Sequence, residues 1–233
     1  MCGRFALTAT PQDVRALFGY EDAPNFPPRE AIKPTEPVAV VVKRGGARRF
    51  VLMRWGFIPA WVKDPAEFPL LYNARGETLA DKPAFRAAAR RRRCLVPADG
   101  FYEWRRTGEG RAMTREPFFV SRSDGRPMAM AGVWETYMDA GGGEIDTVAV
   151  VTTAANGTVA AIHDRMPVIV EPRDFEAWLD TSHGDDCAGA MRLVRPAADD
   201  TLTVKALAPP PARRPTAPPP RKPPGGEGQG SLF

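Results

Sequence analysis

Apolar spacing divides the chain into one clear amphipathic helix, a succession of β-rich runs and a terminal stretch with no periodicity. Thr10-Pro11-Gln12-Asp13 is a helix start, with Thr10 as N-cap, Pro11 at the first helical position and Asp13 facing the N-terminal dipole. Val14, Leu17 and Phe18 then form a short apolar stripe that Gly19 stops. Residues 20–36, with four prolines, read as a surface crossing. The runs 37–43 and 49–55 flank Gly45-Gly46 and predict a hairpin. Between Trp55 and Glu77 no period holds, so a long irregular segment of the kind that often carries function is expected there.

Residues 82–93 predict a helix with Pro83 near its start and an Ala-rich interior. Strand candidates follow at 94–97, 100–105, 117–121, 127–135, 146–153 and 166–170. A short helix at 172–180 presents Phe175, Trp178 and Leu179 on its apolar face, and a last strand covers 202–207. Strands outnumber helices and are joined by tight turns. The pattern predicts an α+β single domain on a curved, mostly antiparallel β-sheet or barrel-like core with flanking short helices.

The domain is expected to span 1–207. From Ala208 the composition changes: nine of the sixteen residues 209–224 are Pro, and Gly-Gly-Glu-Gly-Gln-Gly follows. Such a segment cannot bury enough apolar surface to offset its conformational entropy, which predicts a disordered Pro-rich tail over 208–233. The formal net charge of +4 is concentrated in that tail, where Arg213, Arg214, Arg221 and Lys222 oppose Glu227. Global charge therefore argues for no nucleic-acid partner, and any such argument must come from local patches. The densest, Arg90 to Arg93, is either such a patch or a solvated helix end whose cations complement the C-terminal dipole.

Cys2, Cys94 and Cys187 are an odd, widely spaced set, which argues against a disulfide framework. With His163 and His183 as the two histidines, no zinc-site spacing exists, and neither metal nor cofactor is expected. No apolar run approaches a membrane span and no signal-peptide apolar region opens the chain; a cytoplasmic location is expected.

Four segments carry candidate chemistry. The first is Met1-Cys2-Gly3-Arg4-Phe5: a Met before a small residue is normally removed, which would leave Cys2 with an α-amine and a thiol on adjacent carbons. With reference pKa values of about 8 and about 8.5, part of each is reactive near neutral pH. A 1,2-aminothiol condenses with an aldehyde to an imine and closes on it to a thiazolidine. The second is Asn73-Ala74-Arg75-Gly76-Glu77-Thr78, an amide, a guanidinium and a carboxylate in a short span; it is either a ligand-holding segment or a structural turn. The third is Pro97 to Trp104, where alternation places Phe101 and Glu103 on one face and Tyr102 and Trp104 on the other. A Glu buried among aromatics would have a raised pKa suited to proton transfer; an exposed Glu on a solvent face is the alternative. The fourth is Ile162 to Val168, with His163 beside Asp164 and Arg165 at a loop–strand junction. His183, in a Gly/Asp-rich loop, reads as surface.

These segments, in this order, resemble the SOS-response-associated peptidase (SRAP) family, whose members process abasic sites in DNA. The matching pieces are M-C-G-R-F at 1–5, W-G-F-I-P-A-W at 55–61, N-A-R-G-E-T at 73–78, R-C-L-V-P-A-D-G-F-Y-E-W at 93–104, T-T-A-A-N at 152–156 and H-D-R-M-P at 163–167. Gly76 replaces a common Ala, Asp164 a common Glu, and a C-terminal Val-Asn pair is missing. The resemblance implies a thiazolidine cross-link between Cys2 and the aldehyde of an abasic site in single-stranded DNA. It implies that Asn73 holds the Cys2 end and the opened sugar, that Glu103 shuttles protons, and that His163 favours ring opening. Arg4 and Arg75 would grip phosphates, Thr152 would line the strand's path, and Trp104 and Trp61 would stack or wedge, with core packing the alternative for at least one of them. Cleavage of the Met1–Cys2 bond in cis is a secondary activity implied by the same residues.

The last five residues, with Gln229, Leu232 and Phe233 as the recognition positions, resemble the peptide by which bacterial replication and repair proteins bind the DNA sliding clamp. Two other classes compete with the DNA-lesion reading: an N-terminal-nucleophile hydrolase acting on an amide, and a non-catalytic single-strand binding protein.

Overall fold

The computed structural model describes residues 2–108, 110, 113–182, 184 and 186–208. His183 and the tail beyond Ala208, with Gln229, Leu232 and Phe233, lie outside the described residues. The order is β1 (Phe5–Leu7), α1 (Pro11–Phe18), β2 (Arg29–Ile32), β3 (Pro37–Arg44), β4 (Ala47–Trp55), β5 (Asn73–Arg75), α2 (Arg86–Arg91), β6 (Arg93–Ala98), β7 (Gly100–Thr107) and β8 (Thr114–Arg122). It continues through β9 (Met128–Met138), β10 (Glu144–Ala154), α3 (Gly157–Ala160), β11 (Arg165–Pro167), β12 (Ile169–Val170), α4 (Phe175–Leu179), α5 (Ala188–Met191) and β13 (Leu202–Ala206).

The strands form two sheets. One is open, in the order β13-β8-β7-β1-β2. The other runs β11-β10-β4-β3-β6-β9-β12, with β5 added on β10. Because β9 also pairs with β10, strands β10, β4, β3, β6 and β9 close into a barrel. Pairing is antiparallel except where β10 runs parallel to β4 and β5. The fold is therefore α+β, mostly antiparallel and barrel-like, as the strand runs predict.

Local chemistry explains the best-defined elements. The Thr10 hydroxyl accepts from Asp13 N at 3.2 Å and caps α1. At its other end Gly19 takes φ 65° and donates to Arg15 O, a left-handed cap for which glycine carries no Cβ penalty. The helix buries Val14 and Phe18, and Phe18 stacks on Phe175 with centroids 5.3 Å apart. The β3–β4 hairpin turns at Gly45-Gly46, both at positive φ.

Other expectations need correction. The helix over 82–93 shortens to 86–91 because Arg93 already belongs to β6. Nor is Arg93 part of a solvated patch: it is 3% exposed. Its guanidinium donates to Ala89 O and Arg90 O of α2, and to Trp178 O and Asp180 O at the end of α4. One cation thus satisfies carbonyls left orphaned at two helix C-termini. The presumed surface crossing at 20–36 contains β2, and the irregular stretch contains β5.

One main core fills the barrel and the space between the sheets, and Cys2 is part of it. Phe5 of β1 meets Trp55 of β4 edge-on at 5.0 Å. The Trp55 indole donates to Tyr72 O at 2.8 Å, which fixes the chain one residue before Asn73.

Candidate active site

The site lies where the open sheet meets the barrel. β1 sits between β2 and β7, with Phe5 opposite Phe101 and Ala6 opposite Gly100. Gly100 is required there: a Cβ would lie 2.4 Å from Val120 O. Arg4 O accepts from Tyr102 N at 2.9 Å, so the pairing continues toward the N-terminus and carries Cys2 to the level of Glu103 and Trp104. The strand is pinned at its far end by Asp99, whose carboxylate accepts from the Thr8 N–H, from the Thr8 hydroxyl at 2.6 Å and from Ala9 N at 3.2 Å.

Asn73 enters from the barrel. β5 lies parallel to β10, with Asn73 beside Val150 and Arg75 beside Thr152. Asn73 Nδ2 donates to Cys2 O at 2.9 Å. Its Oδ1 is buried and has no hydrogen-bond partner among the described residues. A buried amide oxygen left unsatisfied is costly, and a ligand donor would relieve it.

Glu103 is 3% exposed, on the same inward face as Phe101. The exposed alternative is thereby excluded. Burial first, and the Asp164 charge in addition, push its pKa above the usual carboxylate range. The Cys2 thiol, 1% exposed, is pushed well up by burial and then by the Glu103 charge, while Sγ lies 3.7 Å from Arg4 O.

His163 follows the short helix α3, which Asn156 caps by accepting from Val159 N at 3.0 Å. His163 Nδ1 accepts from Arg165 N at 3.0 Å and also lies 2.8 Å from Asp164 Oδ1. One ring nitrogen cannot serve both as acceptor to the amide and as donor to the carboxylate. Burial lowers the imidazole pKa, which favours the neutral ring with Nδ1 as acceptor and the proton on Nε2. The largely exposed Asp164 carboxylate is then left to water.

The second and fourth segments are stitched together by a residue that sequence reasoning did not single out. Arg165 makes a two-pronged pair with Glu77, Nη1–Oε1 2.6 Å and Nη2–Oε2 2.9 Å. Nη2 also donates to Thr152 O at 2.7 Å and to Thr152 Oγ1 at 3.1 Å. Glu77 consequently has a lowered pKa, chiefly through the Arg165 hydrogen bonds. The signal was present as opposite charges in two motifs, but their pairing is long-range. Gly76 makes the close approach of this segment feasible, since a Cβ there would fall 2.1 Å from Val194 Cγ1.

The remaining predicted positions separate by exposure. Thr152 is fully buried, and its carbonyl and hydroxyl accept from Arg165. Arg75 is exposed. Arg4 is half-buried, its guanidinium 5.1 Å from the Trp104 ring centroid and 6.0 Å from that of Tyr102. Trp61 is 60% exposed and contacts Phe68 edge-on, away from the main core. Cys94 and Cys187 are free, buried thiols in other parts of the fold.

The SOS response associated peptidase (SRAP) family model matches residues 1–209. The chain belongs to the SRAP family. Among relatives of this SRAP chain, "Abasic site processing protein YoqW" of Bacillus subtilis (strain 168) is 33% identical over 188 residues, 79% of this chain and 83% of that one. "Abasic site processing protein YedK" of Escherichia coli (strain K12) is 33% identical over 185 residues, 77% and 79% of the two chains. A crystal structure of a protein from Bacteroides thetaiotaomicron superposes with TM-score 0.79 at 24% identity, covering 89% of this chain and 92% of that one, and shares the SRAP fold.

Proposed function

We propose that this SRAP protein captures abasic sites in single-stranded DNA as a covalent thiazolidine on Cys2, after removal of Met1. The names of the relatives support abasic DNA as the target. The observation that carries the chemistry is the Asn73 amide, which holds Cys2 O with one atom and leaves its buried Oδ1 unsatisfied beside it. In the first step the freed α-amine of Cys2 attacks the sugar aldehyde, and loss of water gives an imine. The thiol then adds across the C=N bond, sulfur to carbon and its proton to nitrogen, closing the five-membered ring. Glu103, protonated to higher pH than an ordinary carboxylate, supplies the proton that the departing hydroxyl needs. His163 would donate from Nε2 to the ring oxygen as the sugar opens. Arg4, Arg75 and Trp104 would hold the flanking phosphates and bases.

The two readings differ in what Cys2 must supply: a hydrolase needs a thiolate ready to attack. In the thiazolidine route the amine attacks first and the thiol adds to an activated carbon. Incubating Met-processed protein with abasic single-stranded DNA should give a heat-stable adduct by gel and mass. Cys2→Ala should give none, and Cys2→Ser at most a labile one. A stable adduct from Cys2→Ala would sink the mechanism; peptide cleavage without adduct would favour the hydrolase.

The terminal peptide suggests a second partner, the DNA sliding clamp, with Leu232 and Phe233 as apolar anchors on a Pro-rich leader. Deleting 229–233 should abolish clamp binding and leave adduct formation intact; unchanged clamp affinity would end that idea.

A further inference from the structure

The β7–β8 hairpin presents two rows of facing side chains that are treated differently. On the row shared with Glu103, Arg105 faces Glu116, and the two form an ion pair with Nη2–Oε2 2.5 Å. On the other row Arg106 faces Arg115. Both are exposed, and among the described residues neither has an ionic partner. Like charges directly opposite one another destabilise a strand pair. The hairpin thus carries a matched pair on one face and a mismatch on the other.

The mismatch continues a row that leads out of the candidate site. Tyr102, Trp104 and Arg106 share a face, and neighbours on one face are about 6.8 Å apart along a strand. Arg4 lies over the first two rings. Arg106 is also close enough to His163 to add to the lowering of its pKa, of which burial is the larger cause. Two rings under one cation are therefore followed by two guanidinium groups with no ionic partner among the described residues, on the face of β7 opposite Glu103.

We infer that Arg106 and Arg115 form a phosphate clamp that receives the backbone of single-stranded DNA as it leaves the Cys2 pocket along Trp104. A phosphate between the two guanidinium groups would replace repulsion with two attractive contacts, each able to be bidentate. The inference rests on the abasic-DNA reading for its ligand, but its test does not depend on covalent chemistry.

The experiment uses the full chain and two substrates, an undamaged single strand followed by fluorescence anisotropy and an abasic strand followed by adduct rate, across a salt series. For Arg106→Gln/Arg115→Gln the slope of log affinity against log salt should become shallower by about 0.7, from the one phosphate held between the two guanidinium groups. The Tm should be unchanged or raised. The net-neutral control Arg105→Gln/Glu116→Gln should keep the wild-type slope. A double variant with the wild-type slope overturns the clamp, and a fall in its Tm overturns the like-charge premise. If wild type forms no adduct while the slope still changes, the thiazolidine reading fails and the clamp stands.

Discussion

Replacing Glu77 by Gln tests whether the Glu77–Arg165 pair holds the two halves of the site together. The substitution keeps the shape and one acceptor but removes the charge from a two-pronged contact at 2.6 and 2.9 Å. The Glu77 side chain is 49% exposed and that of Arg165 16%, so the pair lies between a screened surface bridge and a buried one. Exposed pairs contribute up to about 1 kcal/mol and breaking buried ones costs about 3–5, which places this loss at roughly 1–2 kcal/mol after discounting for solvent. For a domain of this size that is a fall in Tm of about 2–8 °C. The pH dependence has a definite sign. Because the folded pKa of Glu77 is lowered, its contribution is present above the unfolded carboxylate value and is lost as pH falls through the folded value. The Tm gap between wild type and Glu77→Gln should therefore be widest near neutral pH and close in acid. A double-mutant cycle with Arg165→Gln, read by denaturant unfolding, isolates the coupling. Coupling within error of zero, or a gap that persists unchanged in acid, would refute the reasoning. Adduct formation should slow in Glu77→Gln as well, since the Arg165 amide holds His163 Nδ1.

Glu103→Gln should separate stability from activity. Its raised folded pKa means that the cost of its ionised form appears as pH rises from the unfolded to the folded value, so the variant should gain Tm at neutral pH while its adduct rate falls by about 100-fold or more; equal adduct rates would remove Glu103 from proton transfer. Asp99→Ala strips the acceptors of Thr8 and Ala9, and should cost about 1–2 kcal/mol and speed hydrogen exchange at Phe5–Leu7 relative to β9. Arg93→Met leaves helix-end carbonyls of α2 and α4 without their donor, and should lower stability by about 2–4 kcal/mol in urea unfolding.

What was legible in the sequence was local. The Thr10 cap, the Gly19 stop, the Gly45-Gly46 turn and the alternation over 101–104 each place their cause within a few residues, and each element forms where the pattern puts it. What was hidden depends on partners far away. β1 and β2 are three and four residues long, too short for any period, and exist because β7 and each other supply hydrogen bonds. Arg93 looked like one of four surface cations until two helix ends converged on it. Nothing in the sequence around Thr152 announces that Arg165 donates to its hydroxyl. The same holds within the site: residue types at Cys2, Asn73 and Glu103 could be read from the chain, but the bond from Asn73 to Cys2 O and the burial of Glu103 required the seam between the two sheets.

That seam also sets a clock. Cys2 and Glu103 come from the open sheet, Asn73 from a strand added to the barrel, and His163 from the loop before β11. A chain made from the N-terminus at about 5–20 residues per second needs roughly 8–30 s between Cys2 and His163. Asn73 and then Glu103 are added within that interval, and His163 only at its end. The site is therefore complete only late in synthesis, when its last segment can meet its first.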